Sequence, residues 1–263
     1  MTNPPKIALV TGGGRGIGKG CAIELAKTGI QIVLNDKPGS EDLAKTAEEI
    51  RELGVSCTPI EADVFTRNGC ESLFSSALNS VGTIDILVSN PAINQRRPFL
   101  EYDPDMFERV LSCTLSSGFH MGQLTARHLV ERGQPGKMVF ISSVHAHEPY
   151  AGAIAYNAAK AGLNHMARTM AVELLSHRIN VNVIEPGWIH TPGEEATFGK
   201  ELIAEQGPKL PLGRIGTPAD IGKTVAFLCS DAADYITGSI LRVDGGYVIK
   251  DCQGDAVSTS GHE

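Results

Sequence analysis

A tyrosine and a lysine stand four residues apart in the Ala-rich stretch Tyr156-Asn157-Ala158-Ala159-Lys160. On a helix both side chains project from one face, a geometry that suits proton transfer. A free phenol titrates near 10 and is a poor base at neutral pH, but an ammonium within roughly 4 to 6 Å stabilises the phenolate. Tyr156 is then the candidate general acid/base and Lys160 its tuner. Ser143, thirteen residues earlier, closes an apolar run and can hydrogen-bond a substrate oxygen as charge develops on it. The same Tyr/Lys spacing also suits an ordinary amphipathic surface, so these residues need a partner site to give them a reaction.

That partner lies near the N-terminus. The first apolar run leads straight into Thr11-Gly12-Gly13-Gly14-Arg15-Gly16-Ile17-Gly18 and then into a helical pattern, Lys19 to Thr28. Glycines at 12, 16 and 18 let the backbone turn tightly, approach a pyrophosphate and pack helix on strand, with the phosphates at the positive helix N-terminus. Arg15 and Ile17 belong to the same loop. Asp36 ends the second run about 20 residues on, where an acceptor for a ribose hydroxyl is expected. A dinucleotide held there carries a hydride, and the protein contributes orientation and proton management. The Asp36 carboxylate repels a 2′-phosphate, so NAD is expected over NADP, although Arg15 and Lys37 are cations that act the other way.

These residues require a frame. Apolar runs of strand length, Ile7 to Val10, Gln31 to Asn35, Ser56 to Ile60, Ile84 to Ser89, Lys137 to Ser142, Asn180 to Ile184 and Ser239 to Val243, alternate with helical stretches starting near Gly16, Glu41, Arg67, Pro104, Ala155 and Pro218. Continuous Val/Ile/Leu runs mark strands buried on both faces, and the alternation with helices predicts an α/β fold: one Rossmann-type, doubly wound parallel sheet of about seven strands. No repeat or linker divides the chain, so residues 1–263 read as a single domain. Residues 188 to 216, rich in Gly and Pro, are long for a connection and are expected to form a substrate lid. The polar tail 250–263 is expected to be mobile unless a partner subunit orders it.

Composition removes other classes. Lys+Arg 23 against Asp+Glu 30 gives a net charge of −7, which works against binding nucleic acid. No apolar run reaches 18 residues and the start MTNPPK lacks a signal-peptide core, so a cytoplasmic protein without membrane contact is expected. Six cysteines at 21, 57, 70, 113, 229 and 252 form no CxxC pair and adjoin no His cluster, indicating reduced thiols and no metal site.

Several motifs in order identify a resemblance. TGGGRGIG resembles the TGxxxGIG loop of the short-chain dehydrogenase/reductases, Tyr156 to Lys160 their YxxxK, Pro186-Gly187 with Thr191 their PG motif, and Val243-Asp244-Gly245-Gly246 their closing VDGG. The resemblance runs from Lys6 to Tyr247. It implies that Asp63-Val64 contacts the adenine and that Asn90, Pro186, Gly187, Ile189 and Thr191 join the cofactor site. It further implies that Lys160 holds the nicotinamide ribose and that the chain forms dimers or tetramers through its long helices and last strand. Two departures stand out: Ser89-Asn90-Pro91-Ala92 replaces the family's Asn-Asn-Ala-Gly, and Thr114 replaces a catalytic Asn whose water links the Lys to solvent. Thr114 is therefore expected to serve proton supply with a shorter side chain.

The start Ser142-Ser143-Val144-His145 resembles the glucose dehydrogenases of that family. With Gln95, Arg96 and Arg97, His145 offers the many hydrogen-bonding groups that a sugar or polyol requires, unless these loop residues are simply solvated. Trp188 either caps the substrate or anchors the lid. The expected activity is NAD(P)-dependent interconversion of an alcohol and a carbonyl on a small molecule. Two rivals stand beside the sugar or polyol reading: a 3-oxoacyl thioester reductase, and a catalytically impaired dinucleotide-binding sensor or scaffold.

Overall fold

The computed structural model describes residues 5–252. Seven strands, β1 (Ile7–Val10), β2 (Gln31–Asp36), β3 (Cys57–Glu61), β4 (Ile86–Ser89), β5 (Gly136–Ile141), β6 (Ile179–Pro186) and β7 (Ile240–Val243), form one sheet in the order β3-β2-β1-β4-β5-β6-β7. Every neighbouring pair is parallel. The strands start and end within one or two residues of the expected positions. The helices are α1 (Gly16–Ala26), α2 (Glu41–Arg51), α3 (Arg67–Val81), α4 (Pro104–Leu111), α5 (Ser117–Glu131), α6 (Ile154–Leu174), α7 (Pro192–Phe198), α8 (Lys200–Gln206) and α9 (Pro218–Cys229).

The strands are apolar on alternate and intervening positions because both faces are covered. Ala8, Val10, Ile32 and Leu34 face a core shared with Leu25 and Ile50, completed by Ile221 and Val225. Leu9, Val33, Leu87 and Phe140 face the other core, with Leu73, Met121 and Leu163. On the first face α1 and α9 meet backbone to backbone: a Cβ on Gly20 would lie 2.4 Å from the Pro218 carbonyl oxygen, and one on Gly222 would lie 2.3 Å from that of Gly20.

Two segments differ from expectation. The helix expected from Pro104 is interrupted at Ser112–Ser116 by a π-helical turn that separates α4 from α5. Residues 188 to 216 fold into α7 and α8, and their ends are pinned together where Gly216 N donates to Trp188 O (3.0 Å) and His190 N to Gly216 O (2.8 Å). Compact excursions with closed ends are a usual form for binding loops. Tyr247–Cys252 form a 3-10 turn, and the rest of the expected tail lies outside the described residues.

Candidate active site

Strands of a parallel sheet place their carboxyl ends together, and here those of β1, β2, β4, β5 and β6 surround one cleft. After β1 the chain reverses through Gly12 (φ 61°) and Gly16 (φ 57°), left-handed conformations that glycine adopts without a Cβ clash. Gly18 is buried so close behind the turn that a Cβ there would fall 2.1 Å from the Gly12 carbonyl oxygen. Asn90, at the end of β4, locks this arrangement by donating from Nδ2 to Gly12 O (3.1 Å) and from its backbone N–H to Thr11 Oγ1 (3.3 Å). The first turn of α1 carries no side-chain cap, which leaves its backbone N–H groups for an anion.

Asp36 is held ready at the end of β2. Its carboxylate accepts from Ser40 Oγ at 2.7 Å and from the Lys37 N–H at 2.8 Å. Asn35 beside it donates to Asp36 O, Ile60 O and Ala62 O, tying the ends of β2 and β3 together. Arg15 is drawn towards Asp42 on α2, 3.9 Å away. Gly12, Arg15, Ile17, Asp36, Asp63, Val64, Asn90, Tyr156 and Lys160 line one cavity of about 300 Å³. The glycine turn, the uncapped start of α1 and the Asp36 carboxylate around one cavity fit a dinucleotide.

A second cavity, of about 380 Å³, opens beside it and shares Ile17, Ser142 and Tyr156 with the first. Ser143, His145, Pro186, Gly187, Trp188, Ile189 and Thr191 line this second cavity. Ser143 caps the short turn after β5, its Oγ accepting from the His145 N–H (3.2 Å), and sits beside the Tyr156 hydroxyl. Lys160 is buried with 1% of its surface exposed, and its Nζ donates to Ile141 O at 2.7 Å, 5.5 Å from the centre of the Tyr156 ring.

The electrostatics correct the simplest form of the expectation. Burial pushes the Tyr156 phenol up to about 12, with the Ser143 hydroxyl pulling it back and the Glu194 carboxylate pushing it further up. Burial also brings Lys160 down to about 7. With burial disfavouring the Lys160 ammonium and its Nζ donating to Ile141 O, the protein's own groups favour a neutral phenol rather than a phenolate.

Three further residues complete the picture. His145 stacks on Tyr150 with ring centres 4.1 Å apart, and its Nδ1 lies 2.8 Å from Asn157 Oδ1. Trp188 Nε1 donates to Glu194 Oε2 at 2.8 Å, so Trp188 both lines the cleft and fastens α7. Arg96 lies over the Phe198 ring at 5.1 Å.

Not every expected residue gathers here. Gln95 does not line the cleft; its carbonyl accepts from Tyr102 Oη while its neighbours Asn94 and Arg96 face inward, as an extended loop alternates its side chains. Thr114 is 1% exposed in the π-helical turn, where its hydroxyl donates to Ile93 O (3.3 Å) and accepts from Ile93 N–H (3.4 Å). It therefore ties down the loop after Asn90. Glu194, Asn157 and Tyr150 were not legible as site residues. Asn157 sits inside the Tyr/Lys motif, but nothing about Glu194 in the sequence separates it from Glu195.

The chain matches, over residues 12–248, the family model described as enoyl-(acyl carrier protein) reductase. It is 34% identical over 248 residues to the oxidoreductase YohF of Escherichia coli, covering 94% of this chain and 98% of that protein. It is likewise 34% identical over 247 residues to 2-dehydro-3-deoxy-D-gluconate 5-dehydrogenase of Escherichia coli, covering 93% and 96%. The solved structure of an acetoin dehydrogenase from Salmonella typhimurium superposes with a TM-score of 0.87 at 32% identity, covering 96% of this chain and 99% of that one. Likeness on this scale reaches from the glycine loop to the last strand, and the chain belongs to the short-chain dehydrogenase/reductases, NAD(P)-dependent oxidoreductases that interconvert alcohols and carbonyls.

Proposed function

We propose that this enzyme acts on a sugar, polyol or similarly hydroxylated small molecule, with NAD preferred over NADP. The observation that carries the reading is the meeting of two cavities at Tyr156: the adenosine end of a dinucleotide fits the first, and its nicotinamide end and an alcohol would share the second beside the same phenol. Ser143, His145, Glu194 and Arg96, set among the apolar Ile17, Trp188, Phe198 and Leu202, give a hydroxylated substrate several hydrogen-bond partners in the second cavity, which supports this reading.

Gly12, Gly16, Gly18 and the first turn of α1 would hold the pyrophosphate, Asp36 the adenosine ribose, Asp63 and Val64 the adenine, and Asn90, Pro186, Gly187, Ile189 and Thr191 the nicotinamide end. When bound, the nicotinamide supplies or accepts the hydride. Tyr156 gives its proton to the substrate oxygen in reduction and takes it back in oxidation, and Ser143 donates to that oxygen as charge grows on it. Lys160, already close to neutrality, passes the proton onward and would hold the nicotinamide ribose. Burial raises Tyr156, and the positive charge of an oxidised cofactor would offset this when bound. Thr114 serves indirectly, by fixing the loop from Asn90 to Ile93. Residues 188 to 216 act as the lid, latched through Trp188 and Glu194.

Assembly into dimers or tetramers belongs to this reading. Phe119, Val172, Phe227 and Leu241 on α5, α6, α9 and β7 leave apolar surface exposed that a second subunit would cover. The test is a panel of sugars, diols and an acetoacetyl thioester, each with NAD and NADP, followed by nicotinamide absorbance. Preference for the thioester overturns the substrate reading, and absence of turnover with every substrate supports the sensor or scaffold instead.

A further inference from the structure

We propose that Glu194 is the specificity-determining residue of the substrate cavity, accepting a hydrogen bond from a second hydroxyl on a carbon close to the reacting one. The preferred substrates are then diols and the hydroxy ketones or hydroxy aldehydes they form. The inference rests on the alcohol-oxidising role of Tyr156 given above and adds to it a substrate class.

Two adjacent glutamates on α7 show the difference. Glu195 is neutralised in the ordinary way, with His190 Nε2 at 2.7 Å and Lys200 Nζ at 3.7 Å. Glu194 lines the cavity and is half-buried, yet among the described residues no Lys, Arg or His lies within 4.0 Å of it. Its one hydrogen bond beyond its backbone comes from Trp188 Nε1, to Oε2; Oε1 has no donor among the described residues. A half-buried carboxylate with no ion-pair partner is unfavourable for the protein alone: burial raises its pKa, and the Trp188 hydrogen bond and the more distant Arg96 charge offset this only in part. Such a group earns its place through what enters the cavity.

Its surroundings select among ligands. Glu194 and Tyr156 line the same cavity of about 380 Å³, so one small molecule there reaches both. An anionic substrate meets this carboxylate unfavourably, whereas a neutral hydroxyl donates to it. Trp188 fixes the carboxylate's direction, and the edge-to-face contact of Trp188 with Phe198 (5.7 Å) fixes Trp188 in turn. Arg96, over the other part of Phe198, supplies a donor in the same space. Donor and acceptor together match a polyhydroxylated neutral molecule.

The experiment compares butane-2,3-diol with butan-2-ol in the wild-type enzyme, Glu194→Gln and Trp188→Phe, by steady-state kinetics with NAD. A hydrogen bond to a charged group corresponds to roughly a 10- to 100-fold preference. The wild type is expected to favour the diol by at least about tenfold in kcat/KM, and Glu194→Gln to erase most of that ratio, chiefly through KM. Trp188→Phe, which loosens the latch but keeps the carboxylate, is expected to lower both substrates together. Equal loss on both substrates in Glu194→Gln makes Glu194 a latch only and overturns the inference, as does an unchanged ratio. Failure of the wild type to oxidise either alcohol, while it still turns over an acetoacetyl thioester, overturns the underlying substrate reading and this one with it. Sound turnover of butan-2-ol without a diol preference overturns this inference alone.

Discussion

The Asn157 amide sets the tautomer of His145. Asn157 Nδ2 donates to the Tyr150 carbonyl oxygen at 3.0 Å, which turns Oδ1 towards His145 Nδ1 at 2.8 Å. An oxygen there accepts, so Nδ1 carries the proton and Nε2 is left as an acceptor. Burial holds the ring's pKa below the usual histidine value, which keeps that form neutral. Asn157→Leu is expected to free the ring and raise KM for a hydroxylated substrate several-fold, with cofactor affinity little changed. Substrate kinetics beside a cofactor fluorescence titration checks this, and an unmoved KM removes His145 from the substrate contacts.

Tyr156→Phe removes the proton donor and almost no volume. Turnover is expected to fall by about 10² to 10⁴, the usual worth of general acid/base help, while the cofactor still binds. Lys160→Ala is expected to damage both. Retention of more than about a tenth of the activity in Tyr156→Phe contradicts the assignment.

Asp36 already has its carboxylate oriented by Ser40 and the Lys37 N–H, and Arg15 is engaged towards Asp42. The NAD preference is therefore expected to rest on Asp36. Asp36→Ala should narrow the ratio of kcat/KM for NAD over NADP by raising NADP. A wild-type enzyme that uses NADP equally well disproves the premise.

Thr114→Val is nearly isosteric but leaves the Ile93 N–H and C=O without their partner. Leaving buried polar groups unpaired costs about 1 to 3 kcal/mol, which denaturant unfolding can resolve. Thr114→Ser keeps the hydroxyl and is expected to lose less. If Thr114→Asn shifts the pH–rate profile without changing stability, the residue belongs to proton supply after all.

His120, His128 and His145 all have pKa values lowered chiefly by burial. In the unfolded chain histidines take up protons near 6.5, while these three take theirs up lower when folded. Just below 6.5 the unfolded state therefore binds more protons, and stability falls as pH drops through that window. Thermal unfolding at pH 7.5 and 5.5 should show a lower Tm at the acid value, and a flat Tm contradicts it.

The strands were legible because Leu9, Val33 and Phe140 are apolar for one core and Val10, Leu34 and Ile141 for the other, which leaves an unbroken signal. Tyr156, Lys160 and Ser143 were legible because two of them share a helix and the third ends a strand. The break at Ser112–Ser116 was not, since Ser-Cys-Thr-Leu-Ser contains neither Gly nor Pro, and the bonds from Thr114 to Ile93 inside that turn join residues far apart in sequence. An irregular loop gives no phase for its alternation, so the sequence does not separate Gln95, which faces away, from Asn94 and Arg96, which line the cleft. Glu194 was hidden for a different reason: its place in the cavity without a salt-bridge partner is a property of packing, and the sequence does not separate it from the ion-paired Glu195 beside it.

The bare crossing of α1 and α9 has a consequence for how the protein comes into being. The helix that follows the phosphate loop packs Ala22 and Leu25 against Val225 and Leu228, residues made some 200 positions later in synthesis. Chains emerge N-terminus first, so while β1, α1 and β2 leave the ribosome the partner of their inner face does not yet exist. The nucleotide-binding half is not a module that can be completed early or cut out. A chain truncated before Pro218 keeps the glycine loop in its sequence but leaves the α1 face at Gly20 without the helix that packs on it.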